Sequence, residues 1–213
     1  MGKIVLLGAG GHGRDVLDAA LMQGRCVIGF LDENIKIHHV TINGIPVLGG
    51  PDWLLENRFA KVIISVGNPR AKKSYADFLN AHGLQTAQPV IHPNAYVSTY
   101  ANIGKGTVIL SGTSIQPQVK VGEHVYISTV STLGHDVIVE DYSSVHPGVQ
   151  IGGETIVGCG SFIGMGVKIL PRLKIGAWST IGAGSVVIKD VKENRTVVGV
   201  PAKVIKENNE RND

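Results

Sequence analysis

Bulky rings are scarce in this chain of 213 residues, with Phe, Trp and Tyr together at 5%. Beside 28 Gly, that scarcity points to a narrow, regularly turning β structure. Only two cysteines occur, Cys26 and Cys159, far apart. They exclude a disulfide framework and read as two reduced, buried thiols of a cytoplasmic protein. No apolar run reaches membrane-spanning length, so no membrane insertion is expected. Met1 leads almost directly into KIVLLGAG, so no signal peptide is expected either. Neither sign of charge dominates, and a net charge of +3 is too mild to argue for nucleic acid. The tail KENNERND mixes signs and reads as a solvated end. What remains, at 43% hydrophobic and 17% charged residues, is a globular composition.

A repeat fills the second half. From Ile91, every sixth residue is Ile, Val or Leu through Ile109, Ile127, Val145, Ile163 and Ile181 to Val187, sixteen consecutive steps. About a fifth of residues in ordinary domains are of these types, so chance does not produce the run. The position four after each aliphatic residue is small or β-branched, with Leu173 the one large exception. Gly often follows the aliphatic residue directly, as at Gly104, Gly134 and Gly152.

Period six fits neither a helix at 3.6 nor a hairpin ladder at 2. It fits a short strand plus a turn. Three such units close a triangular coil of 18 residues, its aliphatic rungs stacked inward about 4.8 Å apart along the axis. The residue four beyond each rung faces the same narrow interior and must be small. The glycines are expected to permit the bends at the corners. The register holds without an extruded loop for a little over five coils.

Residues 1–85 differ. KIVLLGAG, CVIGFLDE and KVIISVGNP read as strands; HGRDVLDAALMQG, GPDWLLENR and RAKKSYADFLNAHG read as helices. The expectation is a small parallel βαβαβα domain, half of a Rossmann-like fold, over 1–85. Residues 86–213 then form an all-β parallel β-helix with a C-terminal cap, entered through Gln88–Pro89.

Gly8, Gly10 and Gly13 spell G-x-G-x-x-G between a strand and a helix, with Asp32 at the end of the second strand. Gly lets backbone approach a phosphate, and the helix N-terminus supplies N–H groups and partial positive charge. A full dinucleotide site needs two mononucleotide halves, and 85 residues provide one. A mononucleotide or nucleotide-sugar at Gly10, Gly11, His12 and Gly13 is the better ligand. The alternative is that the glycines only make a tight turn. Asp32 offers acceptors to ribose, base or sugar, and Asn68 faces the carboxyl end of the sheet.

GAGGHG, FLDE, VGNPRAKK, the hexapeptide ladder with its GHD, and the closing VGVPAKVI together resemble one family. It is the sialic-acid O-acetyltransferase and UDP-amino-sugar N-acetyltransferase branch of the hexapeptide acyltransferases. The resemblance implies a left-handed β-helix and a homotrimer, with acetyl-CoA as co-substrate in a groove between neighbouring β-helices. It implies a nucleotide-sugar on the N-terminal domain and His135 as general base. An imidazole titrates near neutrality and can take the proton lost as nitrogen or oxygen attacks the thioester. Asp136 is the nearest carboxylate to fix its tautomer. For the CoA arm the resemblance points to Gly153, Met165 and Ala183, and to Lys203 for a phosphate; the stretch around Lys203 otherwise reads as a capping strand. Where family members often carry an acidic residue, Asn and His, this chain has Gly134, Ser128 and Ser144, which leaves amine and hydroxyl acceptors both open.

His124, His135 and His146 are evenly spaced, as if for a metal. They follow rungs on three different faces of the triangle, so within one chain they do not converge, and no metal is expected. The leading expectation is an acetyltransferase acting on an amino group or hydroxyl of a sugar, UDP-linked, in surface glycan synthesis. The alternatives are O-acetylation of a free sugar such as sialic acid, and a non-acyltransferase trimeric β-helix protein, either a metal-dependent hydratase or a scaffold.

Overall fold

The computed structural model describes residues 2–207. The N-terminal half runs β1 (Ile4–Leu7), α1 (Gly11–Met22), β2 (Val27–Leu31), β3 (Thr41–Ile42), β4 (Ile45–Gly49), α2 (Trp53–Glu56), β5 (Lys61–Ile64) and α3 (Pro69–Ala81). Its sheet has the order β3-β4-β2-β1-β5. All pairs are parallel except β3 with β4. The βαβαβα expectation therefore lacked one hairpin. Its turn is Asn43-Gly44, with φ of 49° and 80°, the left-handed pair that a two-residue hairpin loop demands.

From Val90 onward the chain is a left-handed triangular β-helix. Every expected rung lies in a two-residue strand, and each strand up to Lys168–Ile169 pairs in parallel with the one 18 residues on, as Ile127 does with Val145. Three sheets result. Face 1 starts at Val90–Ile91 and ends with Arg195–Val198 and the antiparallel Lys203–Glu207. Face 2 runs from Tyr96–Val97 to Val186–Val187, and face 3 from Asn102–Ile103 to Lys174–Ile175. Rungs from Ile109 to Val187 are at most 5% exposed. Each contributes roughly 1.5–3 kcal/mol by leaving water.

Half of the residues four beyond a rung are Ser or Thr, for a reason the period does not reveal. Their hydroxyls donate to a carbonyl fifteen residues on: Thr113 to Ser128 at 3.0 Å, Ser131 to His146 at 3.1 Å, Ser143 to Gly158 at 3.0 Å. The buried hydroxyls are thus satisfied within the wall itself.

The glycines after the rungs need a different explanation from the one expected. Gly104 and Gly134 are not left-handed; the left-handed corner residues come two positions later, at Gly106 and Asp136 (φ 69° and 59°). Gly104 and Gly134 serve close approach instead. A Cβ on Gly134 would lie 2.7 Å from the backbone nitrogen of Gly153.

One further expectation is corrected. Cys26 is exposed and Cys159 half-buried, both as free thiols. Within the tail, Lys206 and Glu207 belong to the last, exposed strand, and 208–213 lie outside the described residues. Among the described residues, no helix is long and apolar enough to cross a membrane.

The two halves share a core. Leu6, Val16, Ala20 and Phe30 cluster with Val90, Val108, Leu110 and Tyr126 of face 1. Between them the chain still bridges to Val62 at Thr86 before entering face 1 at Val90.

Candidate active site

The Gly-rich turn divides into glycines with structural duties and glycines without. Gly8 is left-handed, at φ 115°, which makes the turn. Gly13 presses α1 onto the Gly8 carbonyl, and a Cβ there would overlap it. Gly10 and Gly11 meet nothing within 4 Å. Gly10 caps α1 without a side-chain bond. Both glycines are exposed and no side chain caps the first N–H groups of α1, which have the helix's partial positive charge behind them, an arrangement suited to a phosphate.

Asp32 and Asn68 brace this edge. The Asp32 carboxylate accepts from the Ala9 and Asn34 backbones, both at 2.9 Å, tying the turn to the end of β2. Asn68 accepts from Arg70 and Ala71 at 2.8 and 3.2 Å and so caps α3. His12 lies over Gly67, with Tyr126 edge-on at 4.8 Å between ring centroids and His146 at 5.8 Å. Burial lowers its pKa, with Asp15 acting in the opposite sense.

His135 follows rung Leu133 at the corner between faces 2 and 3. Its Nδ1 lies 2.9 Å from Asp136 Oδ2. With Nδ1–H donating to that carboxylate, Nε2 keeps its lone pair as a base. The ring covers Gly153 one coil on, where a Cβ would fall 2.7 Å from Nε2. Both side chains are more than half exposed, at 64% and 54%, so their mutual attraction is screened and worth about 0–1 kcal/mol. The arrangement orients the ring; it does not bury a charge.

Met165 and Ala183 sit at a different corner, between faces 1 and 2. The Gly184 N–H donates to the Met165 carbonyl at 2.8 Å, and Met165 is 60% exposed. Lys203 is exposed on the last strand, beside a groove of about 390 Å³ lined by Lys189, Lys192 and Arg195. The structure thus joins His135 to Gly153, Met165 to Ala183, and His12 to the Gly-rich turn, as three separate groups. The Gly-rich turn packs on face 1, whereas His135 stands at the opposite vertex of the triangle.

The three spaced histidines occupy three corners. His124 is buried between faces 3 and 1, and His146 stands between faces 1 and 2. Burial takes both to pKa values of about 4. Among the described residues no group of three or more metal-ligating side chains forms.

Lys72 and Tyr126, which line the seam between the two halves with Ser144, were not expected from the sequence. One signal was available. Pro69, Lys72, Ala76 and Leu79 make the buried stripe of α3, so Lys72 occupies an apolar position.

Residues 3–79 match the PglD N-terminal domain family, and residues 154–189 match the bacterial transferase hexapeptide (six repeats). Over nearly its whole length the chain is similar to the acetyltransferase domain of PglB from Neisseria gonorrhoeae FA1090, at 32% identity, covering 96% of this chain and 100% of that one, with a TM-score of 0.89. The chain belongs to the hexapeptide-repeat acyltransferases. The same PglB domain has been solved in complex with acetyl coenzyme A. A second acyltransferase structure, a variant of perosamine N-acetyltransferase from Caulobacter crescentus, contains CoA and GDP-perosamine. It is 27% identical, covers 97% of this chain and 98% of that one, and has a TM-score of 0.90. Matches to curated sequences are short. The serine acetyltransferase of Buchnera aphidicola subsp. Acyrthosiphon pisum is 52% identical over 46 residues, and this chain spans 17% of its length.

Proposed function

We propose that this acyltransferase moves an acetyl group from acetyl-CoA to the amino group of a nucleoside-diphosphate-linked amino sugar, as a step in surface glycan synthesis. The observation that carries the reading is one chain holding both an open, uncapped helix N-terminus at Gly10–Gly11 and an oriented His135–Asp136 pair beside Gly153. The CoA and GDP-perosamine bound to the Caulobacter relative, and the acetyl coenzyme A bound to the PglB domain, support it.

The chemistry runs through His135. The sugar amine attacks the thioester carbonyl, and Nε2 takes the proton that nitrogen loses. Collapse of the tetrahedral intermediate breaks the C–S bond. The imidazolium returns its proton to the departing sulfur, giving an N-acetyl sugar and CoA. The diphosphate docks at the start of α1, with His12, Asp32 and Asn68 around it. Gly153, Met165 and Ala183 leave room for the pantetheine arm, and Lys203 meets a CoA phosphate.

A single chain cannot complete this site, because the nucleotide-sugar turn and His135 stand on opposite sides of the β-helix. A neighbouring copy must bring its His135 to the turn, which favours a closed cyclic trimer. The test is a thiol-release assay with acetyl-CoA against UDP- and GDP-linked 4-amino sugars and free sialic acid. N-acetylation of a nucleotide-linked amine is expected. Acetylation of free sialic acid alone, or no thiol release with any acceptor, would overturn the proposal.

A further inference from the structure

Lys72 is the one ionisable member of the buried stripe of α3, and it is 1% exposed. Its Nζ donates to the Ser143 carbonyl at 2.7 Å and to Ser144 Oγ at 2.8 Å, both on face 1. No carboxylate pairs with it among the described residues. A neutral amine has two N–H groups, matched here by two acceptors, whereas the third proton of an ammonium has no partner. Burial accordingly pushes its pKa well below the ordinary lysine range.

An apolar residue of similar length would join the two halves at lower desolvation cost. The placement of the bonds shows what the lysine adds. Ser144 Oγ, which accepts from Lys72, donates to the Gly67 carbonyl at 2.8 Å. Gly67 lies directly under the His12 imidazole, where a Cβ would fall 2.6 Å from Cε1. A continuous line of contacts therefore runs from face 1 through Ser144 and Gly67 to the ring in the Gly-rich turn. Tyr126, from the same face, closes the other side of that ring and points its hydroxyl to Asp15 of α1 at 3.3 Å.

We propose that Lys72 is a positioning residue that, through Ser144 and Gly67, holds His12 and the Gly-rich turn in register with the β-helix and so sets how the sugar nucleotide is presented. It touches no ligand itself. The proposal rests on the nucleotide-sugar reading of the turn for its kinetic consequence, but its structural consequence is independent of any substrate.

The experiment compares wild type with Lys72→Met and Ser144→Ala. The first keeps length and apolar contact but removes both donors; the second removes only the link to Gly67. Backbone amide exchange is followed over residues 65–72, with the face 2 rungs as internal control. Both variants are expected to exchange about tenfold faster there while the rungs stay protected. Their KM is then measured with whichever of GDP-perosamine and a UDP-linked 4-amino sugar the wild type acetylates. It is expected to rise about tenfold, with the KM for acetyl-CoA unchanged. A merely structural fastening would instead lower folded enzyme and kcat, leaving both KM values alone. Unchanged exchange over 65–72 in Ser144→Ala overturns the proposal even if Lys72→Met fails to fold. So does an equal change in both KM values. A wild type inactive on all acceptors condemns the functional reading, while the exchange result still judges Lys72.

Discussion

The imidazole of His135 occupies the space that a side chain on Gly153 would fill, at 2.7 Å from the position of its Cβ. The ring is therefore placed by an absence on the next coil as well as by the carboxylate beside it. Gly153→Ala is expected to push the ring off its site while leaving the wall of the β-helix intact. Displacing a base by about 1 Å costs on the order of 10²-fold in rate. Steady-state kcat beside an unchanged melting curve checks this; full activity in the variant contradicts it.

Asp136 supplies orientation more than charge, because the pair is half exposed and water screens it. Asp136→Asn keeps an acceptor oxygen near Nδ1 and is expected to lower kcat/KM by only about tenfold. His135→Ala should lose 10²–10⁴-fold, roughly the contribution of general base catalysis. Equal losses in the two variants, measured under one set of conditions, would contradict this division of labour.

Two glycines of one turn should respond in opposite ways. Gly13→Ala forces a Cβ into the Gly8 carbonyl and is expected to destabilise the N-terminal half. Gly11→Asp meets nothing within 4 Å and places a negative charge at a helix N-terminus, where it stabilises by about 0.3–1 kcal/mol. That charge would stand where the diphosphate is proposed to dock. The variant should keep or raise Tm and lose at least about tenfold in apparent affinity for the sugar nucleotide. Unaltered affinity would remove the turn from the site.

Acid should weaken the fold through His124. Its folded pKa is about 4 against an ordinary 6.5, because burial excludes the charged ring. Between those values the unfolded chain binds the extra proton, so stability is full above about pH 6.5 and falls as pH drops toward 4. The loss reaches about 3 kcal/mol. His124→Asn, which tolerates the left-handed backbone there, should lessen the pH dependence of the urea midpoint, the remainder coming from His146, which burial also takes to about 4. A slope identical to wild type would show that His124 is not its source.

The ladder was legible because its period belongs to no other regular structure, and the same arithmetic separated the three histidines. The β3–β4 hairpin escaped notice because its first strand is two residues long, although Asn43-Gly44 marked the turn. Corner glycines were assigned to backbone bending, whereas their neighbours two positions on do the bending and include Asp136 and Glu154. Periodicity also does not say which face the N-terminal half covers. Tyr126, Val108 and Lys72 decide that, and each reads as an ordinary residue in one dimension.

The docking on face 1 carries the main consequence of the proposed function: it would draw His135 and the Gly-rich turn from different chains. Mixing His135→Ala with Gly11→Asp chains by co-refolding tests this directly. Assayed at sugar nucleotide well below the wild-type KM, each variant alone is impaired in one half of every site. In randomly mixed trimers about a quarter of the sites pair an intact turn with an intact His135. The prediction is recovery of about a quarter of wild-type acetyl transfer in the mixture. A mixture no more active than its parents would mean that each site lies within one chain.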